Sequence, residues 1–143
     1  MINSVIPLWK PVDWSSFDVV RNIRHQIEPA KVGHAGTLDP FAEGVLMICT
    51  GSKTKSVETL MDQEKEYVAE IILGIETDTL DRKGKKVKSS SIPKLDKKII
   101  HNILNNFTGN IMQEPPMYSA LKYNGQPLYK LARQGISVFR KNK

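Results

Sequence analysis

Apolar residues recur along this chain with two periods, and the changes between them mark out its elements. Residues 5–14, VIPLWKPVDW, hold two prolines and two tryptophans, which suits an edge strand or an ordered loop better than a helix. Phe17, Val20, Ile23 and Ile27 then follow at helical spacing. Ser15 or Ser16 caps this helix, Asp18 complements its dipole, Pro29 ends it, and Arg21 and Arg24 fall on the other face. Residues 44–50 form a short apolar run between glycines, too brief for a comfortable helix, and predict a buried strand. A weaker stripe at Val57, Leu60 and Met61 predicts a short helix over 52–62, and the alternation over 67–73 predicts a second strand stopped by Gly74.

The second half is punctuated more heavily. TDTLDRKG, residues 77–84, is turn chemistry, and the basic, serine-bearing RKGKKVKSSSIPK that overlaps its end predicts a mobile loop or a ragged hairpin. Asp96 caps a helix over 96–107 whose stripe of Ile99, Ile100, Ile103, Leu104 and Phe107 is expected to be buried, with Gly109 closing it. Pro115-Pro116 bars a helix, residues 118–123 read as a strand, Asn124-Gly125 as a turn, and 128–134 as two helical turns ended by Gly135. SVFRKNK, residues 137–143, looks like the start of a further strand.

Totals narrow the class of protein. A chain of 143 residues, 40% hydrophobic and 25% charged, is one domain's worth of ordinary globular sequence. No apolar run reaches the length of a membrane span and the N-terminus does not resemble a secretion signal, so a cytoplasmic protein is expected. Cys49, the one cysteine, lies in an apolar run, which fits a small buried hydrophobe and excludes an intrachain disulfide or a thiolate zinc cage. His25, His34 and His101 share no metal-ligand spacing. The net charge of +6 conceals an asymmetry: residues 1–81 hold 7 Lys/Arg against 13 Asp/Glu, and residues 82–143 hold 14 against 2. A polyanion would be drawn to the second half, although a merely solvated basic surface has the same composition.

Chemistry concentrates in KVGHAGTLDPFAEGVL, residues 31–46. Glycines permit a tight loop before Asp39, and Pro40 biases Asp39 to an extended backbone. A carboxylate so placed can be a nucleophile, a general base or a turn cap, and capping is the commonest of the three. Tyr118, Tyr123 and Tyr129 are interleaved with Lys122, Lys130 and Arg133, which suits base stacking with phosphate pairing and equally suits half-buried packing. There is no GxGxxG, P-loop or HExxH, so no nucleotide cofactor or metal is expected.

Taken whole, HAGTLDPFAEGVLMICTGSKTK, then KEYVAEIILGIETDTLDRKG, then PPMYSALKYNGQPLYKLARQG closely resembles the TruB family of bacterial tRNA pseudouridine synthases, from about Ile6 onward. The resemblance implies an α+β pseudouridine synthase catalytic domain, with a mixed, largely antiparallel sheet and flanking helices. Its implied reaction is isomerisation of the T-loop uridine of tRNA to pseudouridine, which needs no cofactor and no obligatory protein partner; the partner is the T-arm stem-loop. It implies Asp39 as the catalytic carboxylate and Tyr67 as the tyrosine that stacks on the uracil and helps remove its C5 proton. His34 is implied to contact the flipped nucleotides and Lys65 to support the tyrosine, while Tyr118, Lys122, Tyr123, Tyr129 and Arg133 belong to an RNA-gripping segment.

The family's later strand with a catalytic arginine, its leucine-containing motif and its following RNA-binding domain have no counterpart in these residues. Residues 1–143 are therefore expected to be the N-terminal portion of that domain, with little activity alone and with sheet edges left unpartnered. Two other readings share the motifs: a non-catalytic RNA-binding or RNA-folding module derived from such an enzyme, and the guide-RNA-dependent dyskerin type, which the TDTLDRKG and MYSALKYNGQPLYKLARQG strings fit less well.

Overall fold

A computed structural model of the chain describes residues 2–27 and 31–142, so the helix stop expected at Pro29 lies outside the described residues. The chain forms two compact units, Met1–Ala69 and Glu70–Lys143. Helices and small antiparallel sheets give an α+β fold, and every strand pair among the described residues is antiparallel.

The first unit contains β1 (Val5–Lys10), α1 (Ser16–Gln26), β2 (Val32–Ala35), β3 (Gly44–Thr50), a 3-10 turn (Gly51–Ser56) and α2 (Val57–Met61). β3 is central, in the order β1-β3-β2. Leu46 and Ile48 face α1 and are buried, while on the opposite face Cys49 is buried, Met47 half-buried and Val45 59% exposed, so that face is covered only toward the strand's end. β1 lies at an edge, where a proline is tolerated in a ladder. Ile6 and Leu8 oppose Ile48 and Leu46 in register, while Trp9, paired with Val45, is 63% exposed.

α1 begins at Ser15 through a reciprocal capping box: the Asp18 N–H donates to Ser15 Oγ at 3.2 Å, and the Ser15 N–H donates to Asp18 Oδ2 at 2.9 Å. Val19 and Val20, with Ile23 and Ile27 beside them, pack on Leu8, Val32, Leu46 and Ile48 to form the core. Each such side chain removed from water contributes about 1.5–3 kcal/mol before entropy is counted. Phe17, expected in the stripe, is 57% exposed. The inward place in the first turn belongs to Ser16, whose hydroxyl is used by the loop described below. The helix expected over 52–62 is α-helical only at Val57–Met61, and β2, among glycines, is a strand the periodicity did not predict.

The second unit is sparse. β4 (Ile75–Thr77) pairs with β5 (Lys86–Ser89) with an irregularity between Glu76 and Thr77, the ragged hairpin alternative. The turn chemistry of residues 77–84 is realised through Asp81, whose Oδ1 accepts from Thr79 Oγ1 and the Lys83 N–H, both at 2.8 Å. β6 (Lys122–Tyr123) and β7 (Gln126–Pro127) flank Asn124 and Gly125, both at positive φ as a tight hairpin requires, and α4 (Leu128–Arg133) follows. α4 buries Leu128 and Leu131.

Four expectations are corrected here. Residues 67–73 alternate but form no strand, since among the described residues no neighbouring strand pairs with them; Val68 is 98% exposed. The strand expected over 118–123 is reduced to Lys122–Tyr123, because residues 117–120 bend and the carbonyls of Ser119 and Leu121 instead accept from Tyr129 and Leu128 of α4. Residues 137–142 carry no strand; Arg140 there bonds the Val138 carbonyl at 2.8 Å and pairs with Glu114. α3 (Lys97–Asn105) is capped by Asp96 as expected, yet its apolar stripe is exposed, as is Phe107 beyond its end, because no other described element covers that face.

Candidate active site

The glycine-rich stretch is a hairpin, and its loop carries Asp39. β2 ends at Ala35, opposite Met47, and Gly36 turns the chain at φ 108°, a conformation that side-chain-bearing residues adopt at a cost. Residues 36–43 then cross to β3. The backbone on either side of Asp39 is pinned. The buried Ser16 hydroxyl accepts from the Leu38 N–H at 3.0 Å and donates to the Leu38 carbonyl at 3.3 Å. On the other side the Pro40 carbonyl accepts from the Asp13 N–H at 2.6 Å, and the Asp39 carbonyl accepts from the Ala42 N–H at 3.0 Å. Asp39 itself is exposed. The loop therefore sits at the N-terminal end of α1, its backbone held and Asp39 exposed. That separation suits a reacting group better than a turn cap, which spends its carboxylate on its own backbone.

Lys10 completes this corner. It ends β1 opposite Gly44, is fully buried, and donates from Nζ to the carbonyls of Trp14 at 2.7 Å and Pro11 at 2.9 Å. Burial pushes its ammonium below the ordinary 10.5, while Asp13, Asp39 and Glu43 pull it back up. A buried cation is thus electrostatically coupled to Asp39. Sequence reading passed over it, although the alternation of Ile6, Leu8 and Lys10 aims it inward with the core residues.

His34 lies on β2 opposite Ile48. Its Nδ1 bonds the Gly36 carbonyl, and since a carbonyl can only accept, Nδ1 carries a proton. Lys65 Nζ donates to the carbonyls of Met61 and Gln63, tying down the chain after α2. Tyr67 follows on the unpaired segment at 67% exposure. The bonds of His34 and Lys65 go to backbone carbonyls, so neither reaches Asp39 by a hydrogen bond. Cys49 is buried and its thiol pushed up by desolvation, the state of an inert core residue.

In the second unit the interleaved residues do gather. Arg133 stands over the Tyr129 ring at 5.4 Å, and Lys122 and Tyr123 form one arm of the Asn124-Gly125 hairpin that leads into α4. Tyr123 is 45% exposed and Tyr118 half-buried. A cation over an aromatic face, beside exposed lysine and tyrosine, is chemistry that can meet a base and a phosphate together. Among the described residues no group of three or more His, Cys, Asp or Glu is placed to hold a metal ion, and no helix is long and apolar enough to cross a membrane.

Comparison with known proteins gives the chain its family. The family described as TruB family pseudouridylate synthase (N terminal domain) matches residues 24–143, and the chain belongs to it. Among its relatives, tRNA pseudouridine synthase B of Francisella tularensis subsp. tularensis (strain WY96-3418) is 51% identical over 138 residues, covering 96% of this chain and 46% of that protein. tRNA pseudouridine synthase B of Clostridium tetani (strain Massachusetts / E88) is 49% identical over 142 residues, covering 99% of this chain and 49% of that protein. The chain spans about half the length of these relatives.

Proposed function

We propose that the chain is the N-terminal portion of a cytoplasmic tRNA pseudouridine synthase acting on the T-loop uridine, with Asp39 as its catalytic carboxylate. The observation that carries this reading is the placement of Asp39: an exposed carboxylate on a loop clamped by Ser16 and Asp13, in a chain whose family makes pseudouridine. The reaction breaks the C1′–N1 glycosidic bond, turns the base, joins C1′ to C5, and removes the C5 proton while N1 takes one up, so no redox partner is required. A carboxylate serves either by attacking the substrate covalently or by removing the C2′ proton. The uridine must first leave the RNA fold, which gives a stacking role to Tyr67 and a wedge role to His34. Tyr118, Lys122, Tyr123, Tyr129 and Arg133 supply the grip on the T-arm, and Lys65 holds the chain that leads into Tyr67.

The test joins residues 1–143 to the remaining part of the Clostridium tetani relative and incubates the product with a T-arm stem-loop. Pseudouridine is read by nuclease digestion and mass spectrometry. The fused protein is expected to form it, and Asp39→Asn to lower turnover by about 10²- to 10⁴-fold or more while RNA binding persists. Unimpaired turnover by Asp39→Asn would remove Asp39 from the chemistry. Binding without turnover by the unsubstituted fusion would favour the RNA-binding module instead.

A further inference from the structure

Ser15 and Ser16 stand side by side at the start of α1 and serve different ends. Ser15 serves the helix: its side chain accepts from the Asp18 N–H, and its own N–H donates back to the Asp18 carboxylate. Ser16 serves the loop. It is 3% exposed, and its hydroxyl accepts from the Leu38 N–H at 3.0 Å while donating to the Leu38 carbonyl at 3.3 Å, across 22 positions of sequence. A hydroxyl has one proton to donate and lone pairs with which to accept, so a single Oγ satisfies both backbone groups of one residue. That residue immediately precedes Asp39. Holding both groups fixes the two peptide planes that flank Leu38, and the second of these planes contains the nitrogen and Cα of Asp39. The chain just before it is open: a Cβ added at Gly36 would meet nothing within 4 Å, and Thr37 is exposed. The bonds after Asp39, from the Asp13 N–H to the Pro40 carbonyl and from the Ala42 N–H to the Asp39 carbonyl, are backbone to backbone and survive side-chain substitution.

We propose that Ser16 is a positioning residue for the Asp39 carboxylate, acting through the backbone of Leu38 and, buried as it is, touching no substrate. The proposal rests on the catalytic reading of Asp39 above and adds to it the side chain that aims that carboxylate. A reacting group must be held close to its productive geometry, and a displacement of about 1 Å can cost on the order of 10²-fold in rate. Ser16 prevents such a displacement from beneath the loop, which leaves Asp39 itself exposed.

The experiment compares single variants of the fused protein described above, with the T-arm stem-loop as substrate. Ser16→Ala is expected to lower kcat about 10- to 100-fold and to change KM by less than about twofold. Ser16→Cys, close to serine in size but with a sulfur that donates and accepts weakly, is expected to lower kcat in the same way, and it carries the comparison should Ser16→Ala fail to fold. Ser15→Ala removes a helix cap instead and is the control for lost stability: well below its unfolding temperature its kcat is expected to be unchanged. Hydrogen exchange at the Leu38 amide of the 143-residue chain is a readout independent of the chemistry, expected to quicken in Ser16→Ala and to stay the same in Ser15→Ala. The proposal is overturned if the Ser16 variants turn over as fast as Ser15→Ala, if they raise KM without lowering kcat, or if exchange at Leu38 does not change. Asp39→Asn measured beside them separates the two ideas. Full turnover by that variant defeats the catalytic reading, and the positioning role with it, whereas lost turnover there beside full turnover by the Ser16 variants defeats the positioning role alone.

Discussion

Ser15 and Asp18 show how far two residues can specify a local structure. The bonds from the Ser15 side chain and backbone, with Arg21 adding to them, hold the Asp18 carboxyl below its ordinary 3.8. A carboxyl depressed in the folded state contributes stability that is fully present above its unfolded value and lost as pH falls through the folded one. Acid unfolding followed by circular dichroism should therefore be shallower below pH 3.8 for Asp18→Asn than for the unsubstituted chain. Ser15→Ala should cost about 1 kcal/mol in thermal unfolding. This cap was legible because a capping box is a short-range pattern. Asp39 was only half legible: glycines and a proline made it a candidate, but whether its carboxylate is spent on its own backbone depends on Ser16 and Asp13, more than twenty residues away. Lys10 was not legible as a buried cation in the field of Asp13, Asp39 and Glu43, since only the β1–β3 register sets it opposite Gly44.

At the scale of elements, periodicity located most segments and misjudged the environment of several. β3 and α1 are amphipathic or apolar and find each other, whereas α3 carries an equally clear stripe that nothing described covers. The two should respond differently to truncation. Ile48→Ala, in the core, should cost about 2–5 kcal/mol, and Ile103→Ala on the exposed face of α3 should stay within about 0.5 kcal/mol, both read from urea denaturation of this chain. Comparable losses at both positions would mean that the α3 face is covered in solution. The segment 67–73 teaches the same lesson for strands. Alternation makes a strand only when a neighbour supplies donors and acceptors, so its β pattern is a statement about a partner as much as about itself.

Across the whole molecule, buried structure is unevenly distributed. The first unit has a sheet, a helix across one face and a contiguous apolar core; in the second, only Leu128 and Leu131 among the described apolar residues are buried. Native-state hydrogen exchange should find the slowest amides in β1 and β3 and rapid exchange over 64–73 and in α3. Uniform protection across the chain would refute this gradient. The charge asymmetry of the sequence has its counterpart here. The basic second half carries Tyr129 stacked under Arg133, while the acidic first half groups Arg24, Lys31 and Lys55 around one cleft that no running total of charge reveals.

The amino-acid sequence by itself determined what local chemistry can determine: the Ser15 and Asp96 caps, the Asn124-Gly125 turn, the apolar run that became β3, and the family strings around Asp39. These depend on residues within a few positions of one another. Tertiary structure alone decided which apolar faces are buried, that Ser16 rather than Phe17 turns inward, that Lys10 lies buried within the field of Asp39, and that Arg24, Lys31 and Lys55 share a cleft. Each of those is a contact between distant segments, and its free energy exists only once the chain has folded to bring them together.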